Sequence, residues 1–341
     1  MMQLNHRRSV RWATNRVAIV AIALIGNFVS SASACNIPVF RYALERWQPD
    51  NVEIIVFGAG GHTDASASPL QRLQQLSQGP NASLNAKIVQ LDPSDSLPQP
   101  YAGVWAKVKD DVTELPYVVV QTKVGQGRVA THLQGSLGEI DLNRVIESPA
   151  RNELQQRLLA GHSIVWLMIR SKDAAKNALA KDMLEKAFKT LESEVEIPEG
   201  VGLPGSELYA DVPLVVRFSI LEIDPDDEQE QFLLDLLTGI RSDATGQSEP
   251  LLVPVFGRGR ALEVLAADQT TPTMIQELTK FLAGACSCQV KEQNPGFDLM
   301  IRCDWEGELF GGFENRPPDR SAEEGLNRQP TLVPIPPGRK K

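Results

Sequence analysis

Cysteine is scarce in this sequence: Cys35, Cys286, Cys288 and Cys303 are the four in 341 residues. That is too few for a fold built on disulfides, so packed apolar cores must hold the chain. Histidine is as sparse, and His6, His62, His132 and His162 show no metal-ligand spacing. Apart from Arg258, Arg260 and the terminal Arg339-Lys340-Lys341 there is no basic stripe, and the net charge is −9. An acidic chain repels phosphate backbones, so no nucleic-acid partner is expected. No serine stands in a Gly-x-Ser-x-Gly elbow. The glycines at 58, 60 and 61 lack the Lys-Ser/Thr sequel of a phosphate-binding loop and read as a turn. No cofactor is expected.

What is present begins with an address. Arg7, Arg8, Arg11 and Arg16 form a positive n-region without acids, and residues 17–29 are almost wholly apolar. Small residues follow, with Ala32 and Ala34 where a signal peptidase reads. Residues 1–34 are therefore expected to be a signal peptide, and the mature protein to be periplasmic or extracellular. The apolar run is shorter than the ~20 residues of a membrane span, and no later run approaches that length. Contact with a membrane would come only through this segment or through lipidation of Cys35. Loss of the four arginines takes the net charge to −13.

The apolar fraction is 42%, enough for packed cores, and about 307 residues after cleavage make two domains the default. Residues 37–47 read as a short helix. In the first half, strands are expected over 52–57, 86–91, 115–120 and 128–133, with helices over 69–76 and 142–148. In the second half, strands are expected over 163–169, 212–223, 251–256 and 261–267, the third interrupted by Pro254. Helices there are expected over 173–194, from Asp224 as N-cap through 237, and over 272–283. Helices between strands favour parallel pairing and short Gly turns favour hairpins. The expected fold class is α/β, with two mixed β-sheets flanked by helices. The domain boundary is expected near 150–160, a Cys-containing extension over 285–310, and a disordered, Pro- and charge-rich tail over 311–341.

The repeated order of strand, helix, strand, hairpin and helix resembles the thioredoxin fold over about 52–148 and 161–284. Leu115-Pro116-Tyr117 stands where thioredoxins carry a cis-proline beside the active site. The resemblance therefore implies two degenerate thioredoxin-like domains, 35–150 with its N-terminal helix and 161–284. At the places that match the redox Cys-x-x-Cys, this sequence has Gly60-Gly61-His62-Thr63 and Ser171-Lys172-Asp173-Ala174. Ordinary thiol exchange at either position is not expected. The stretches from Cys35 to Tyr42 and from Cys286 to Lys291 are also similar to a group of secreted bacterial proteins of unassigned function.

Four features could carry chemistry. Cys286-Ser287-Cys288 could form a strained, oxidising disulfide, or offer thiolates to Zn²⁺ or Cu⁺ with Cys35 and Cys303. It could equally belong to two structural disulfides, such as Cys35 to one of the pair and Cys303 to the other. His62 could serve as a base or ligand at the lost redox position. Arg258 and Arg260 on their glycine turn could grip a carboxylate or phosphate and otherwise read as a solvated hairpin tip, and Asp224, Asp226, Asp227 and Glu228 read as helix capping. Three functional readings follow: a non-catalytic binding or assembly scaffold with a protein partner, a redox protein using Cys286 and Cys288, and a metal carrier using the same thiols.

Overall fold

The computed structural model describes residues 36–58, 69–79, 82–124, 128–241, 248–311 and 315–318. Residues 1–34, expected as a signal peptide, Cys35, His62 and nearly all of the 311–341 stretch lie outside the described residues. From Asn36 onward the chain forms one compact unit.

In chain order the elements are α1 (Val39–Arg46), β1 (Val52–Phe57), α2 (Pro69–Ser77), β2 (Ala86–Leu91), α3 (Tyr101–Val108), β3 (Tyr117–Val124), β4 (Arg128–Ser136), α4 (Leu142–Ile146), α5 (Pro149–Leu159) and β5 (Ile164–Ile169). They continue as α6 (Ala174–Glu194), β6 (Phe218–Ile223), α7 (Gln231–Ile240), β7 (Leu251–Phe256), β8 (Arg260–Ala261), β9 (Leu265–Ala266), α8 (Pro272–Ala283), α9 (Cys288–Gln293), β10 (Phe297–Asp298) and α10 (Trp305–Phe310).

Two mixed sheets result. The first runs β2-β1-β3-β4, with β1 parallel to β2 and antiparallel to β3. The second runs β10-β8-β7-β5-β6, with β9 pairing β7 and β5 parallel to β6. Each contains the expected helix-linked parallel pair and the expected hairpin.

Period-two alternation sorts the side chains into layers. Val52, Ile54 and Val56 of β1 and Val165, Leu167 and Ile169 of β5 point into one shared cluster. Helices α2, α4, α5 and α7 fill that layer with Leu73, Val145, Leu154 and Leu233. Ile164, Trp166 and Met168 face the other way, into a cluster with α1, α6 and α8. Ile55, Phe57 and Val119 face a third, smaller cluster under α3. The two halves thus share an apolar layer, and the stretch expected as a boundary is the helix α5 inside it.

Several expectations are corrected. The strand expected over 212–223 begins at Phe218. The backbone before it is taken by α1 instead: Arg41 donates to the carbonyls of Ala210 (2.6 Å) and Val212 (2.8 Å). Glu45 accepts from the amides of Tyr209 (3.2 Å) and Ala210 (3.3 Å). Asp224 opens no helix; it accepts from the Asp226 amide in a tight turn and pairs with Arg170. The helix starts at Gln231, after a 3-10 turn over Glu228–Glu230 capped by Asp227, and the Glu230 carboxylate accepts from Ser148 (2.5 Å) and from the Ala150 amide (2.7 Å) at the start of α5. Pro254 does not interrupt β7. Its carbonyl accepts from Leu262 (3.0 Å). In an antiparallel ladder the N–H points the same way as the carbonyl. Its missing N–H therefore faces the gap where the expected strand over 261–267 splits into β8 and β9. The 285–310 extension is part of the fold, since β10 pairs with β8.

Candidate functional site

The cysteine segment sits where residues 284–286 pair with residues 37–39. Ala285 bridges Pro38, the Cys286 amide donates to the Ile37 carbonyl (2.9 Å), and the Val39 amide donates to the Gly284 carbonyl (3.0 Å). Cys286 is buried in the cluster behind the second sheet, with 1% of its surface exposed. Ser287 caps α9 by accepting from the Val290 amide (3.3 Å), and this turns Cys288, the first residue of that helix, out to solvent. The backbone thus sends neighbouring thiols to opposite environments.

Cys303 lies elsewhere. It belongs to the shared layer between the sheets, so the second sheet separates it from Cys286. Its amide donates to the Ser83 carbonyl (2.7 Å) and its sulfur accepts from Gln155 Nε2 (3.2 Å). Burial, reinforced by the nearby Glu308 carboxylate, pushes its thiol up to about 12. It is protonated at any physiological pH and is a poor nucleophile and metal ligand. Among the described residues no three His, Cys, Asp or Glu side chains converge on a place for a metal ion.

The two positions that the resemblance sets opposite a redox motif are partly described. In the first half the Leu115–Pro116 peptide is cis, at the start of β3. Leu115 is 45% exposed and stands over Gly58, where an added Cβ would come within 2.9 Å of the Leu115 Cβ. The neighbouring His62 lies outside the described residues. In the second half the matching turn is a closed polar cap. The Ser171 amide donates to Asn177 Oδ1 (2.8 Å), and the Asp173 carboxylate accepts from the amides of Ala175 (2.9 Å) and Lys176 (3.3 Å). A thioredoxin would present thiols there; this chain spends the helix N-terminus on its own side chains.

The two arginines of the 257–260 turn depart from the expectation of a solvated tip. They are not a solvated tip: Arg258 is 5% and Arg260 is 4% exposed. Arg258 donates to the carbonyls of Leu44 (2.8 Å) and Glu45 (3.1 Å) at the C-terminal end of α1, and to Glu306 (2.8 Å). Arg260 donates to the carbonyls of Asn294 (2.6 Å), Pro295 (2.8 Å) and Gly296 (3.1 Å). It also pairs with Asp298 (2.7 Å) and Asp50 (3.0 Å). A fork of donors suits this task, closing several carbonyls and carboxylates at once. The turn therefore clasps the N-terminal helix and the C-terminal extension together. The sequence signal was present as two arginines on a glycine turn with nearby acids, but nothing local showed that α1 and the 285–310 extension both return to it.

No family model and no curated protein matches this chain. Among solved structures it is similar to the first two thioredoxin domains of Eps1p from Naumovozyma dairenensis. The identity is 11%, the match covers 71% of this chain and 93% of that one, and the TM-score is 0.23. A superposition that weak carries no functional argument.

Proposed function

We propose that this chain is an exported, non-catalytic scaffold that binds or assembles protein partners on a redox-silent pair of thioredoxin-like sheets. The observation that supports this most is the division of the cysteines. Cys286 is sealed in the core, Cys288 faces water, and Cys303 is a protonated thiol on the far side of the sheet. Thiol exchange needs an accessible low-pKa thiolate with a resolving partner beside it. The sealed polar cap over Ser171 and Asp173 supports the same reading. In the exported chain Cys35, two residues before the Ile37 that accepts from Cys286, would serve as a structural bridge to Cys286 or Cys288.

The test is differential alkylation of the purified native protein, before and after mild reduction, read by mass spectrometry. Cys303 should react only after denaturation, and the pattern at Cys286 and Cys288 should not change under mild reductant. A Cys286–Cys288 bond that opens and re-forms at mild potential would refute the scaffold reading in favour of a redox protein.

A further inference from the structure

The two sheets treat their helix-linked edge strands differently. In the second sheet the outward-facing residues of β6 are Phe218, Ile220 and Glu222, because Arg217 and Ile223 bond inward to Ser163 and Arg170. Side chains guard that edge. Glu192 accepts from the Phe218 amide (3.1 Å), and Arg157 donates to the Ile220 carbonyl (2.8 Å). At the far edge of the first sheet, β4 packs against α7. Among the described residues, β2 is a six-residue edge strand that no such contact guards.

Its geometry follows from the ladder. Val52 donates to Asn85 (2.8 Å) and Gly58 to Leu91 (2.8 Å), so residues 85, 87, 89 and 91 bond inward, and Ala86, Ile88 and Gln90 point outward. The Ala86 amide is taken by the Leu84 carbonyl (2.9 Å). Among the described residues nothing bonds the outward peptide groups of Ile88 or Gln90. Edge strands are normally blunted by proline, charge or cover. β2 has no proline, and its one charged residue, Lys87, is drawn back across the sheet to Glu53 (3.0 Å) and the Tyr101 hydroxyl (3.3 Å). The apolar cluster on that face is thinly covered as well: Leu91, Leu97, Val104 and Trp105 are half-exposed.

We propose that β2 is a docking edge for β2 of a second copy of this chain, which joins two four-stranded sheets into one. This names the partner for the scaffold reading and rests on it. A two-fold axis through Ile88 sets Ile88 opposite its counterpart, Ala86 opposite Gln90, and Lys87 opposite Val89. No like charges face each other, so the strand is complementary to itself. The Ile88 pair exchanges two hydrogen bonds, and each Gln90 amide reaches an Ala86 carbonyl, making four across the interface. Val89 and Leu91 of the two copies extend the half-covered apolar face.

The test is the mass of the purified protein by sedimentation from micromolar to near-millimolar concentration, for wild type and Ile88→Pro. Proline at 88 removes an outward N–H and none of the bonds to β1. Wild type should reach the mass of a dimer, and Ile88→Pro should weaken dimerisation at least tenfold with an unchanged circular dichroism spectrum. If that variant does not fold, Ile88→Cys in a Cys288→Ser background decides. Opposed Cα atoms in such a pair lie about 5.5 Å apart, within disulfide reach, so oxidation should give a covalent dimer. A wild type that is monomeric throughout, an Ile88→Pro protein that dimerises as well as wild type, or a monomer that takes up only a different extended chain would each overturn the self-pairing. Those results leave the scaffold reading standing, whereas thiol turnover would remove the scaffold role and leave the measured mass to report the pairing alone.

Discussion

Lowering the pH should cost this protein stability through one buried imidazole. His132 on β4 is 9% exposed, and its Nε2 meets Thr122 Oγ1 at 2.5 Å on the neighbouring strand, beside α7. Burial lowers its pKa to about 4, only partly offset by the Asp235 backbone. The unfolded chain binds a proton near 6.5, so between pH 6.5 and 4 it holds more protons than the folded one. The contribution is therefore complete above pH 6.5 and declines as the pH falls toward 4. The whole separation is worth about 3 kcal/mol, of which about 2 kcal/mol is lost between pH 7 and pH 5. Urea unfolding at those two pH values measures it, with His132→Gln as reference because it keeps a polar partner for Thr122 and does not titrate. Wild type should lose about 2 kcal/mol more than the variant over that interval. An equal loss in both proteins would refute the reasoning, and a greater loss in the variant would reverse its sign.

Other perturbations address the clasp and the thiols. Arg258→Ala removes the donors from the Leu44 and Glu45 carbonyls and should destabilise by about 3 kcal/mol in urea titration; a loss under 0.5 kcal/mol, the level of ordinary surface substitutions, would remove the clasp from the account. Gly257→Ala should cost about 2–4 kcal/mol, because Gly257 has φ +60° and its added Cβ would lie 2.6 Å from the Ala43 Cβ of α1; wild-type thermal stability would contradict that. Glu230→Gln should lower stability by about 1–3 kcal/mol, since buried Arg151 loses its nearby carboxylate and Ser148 and the Ala150 amide lose a charged acceptor; calorimetry at neutral pH checks it.

Local patterns carried much of the fold. The run Ile164-Val165-Trp166-Leu167-Met168-Ile169, apolar at every position, is a central strand with clusters on both faces. The long helix expected over 173–194 is α6, with Asp173 as its N-cap. Pro272 opens α8, with the Thr271 hydroxyl accepting from the Met274 amide. Apart from Pro254 and the strand beside it, the misreadings involve polar groups whose partners are distant in sequence. In the stretch before Phe218, the backbone is bonded by distant side chains, Arg41 at the Val212 carbonyl and Ser163 at the Val215 carbonyl and the Arg217 amide. Arg258 and Arg260 looked solvated because their acceptors lie on α1 and in the 294–298 stretch. Residue type alone could not send Cys286 inward and Cys288 outward; the Ser287 cap and the pairing of Ile37 with Cys286 do that.

The central claim, that the thiols perform no exchange, is tested most directly by catalysed reduction of insulin disulfides by dithiothreitol, followed as turbidity. Wild type should give the uncatalysed rate, and Cys286→Ser and Cys288→Ser should give the same rate. A wild-type acceleration that disappears in Cys288→Ser would contradict the account.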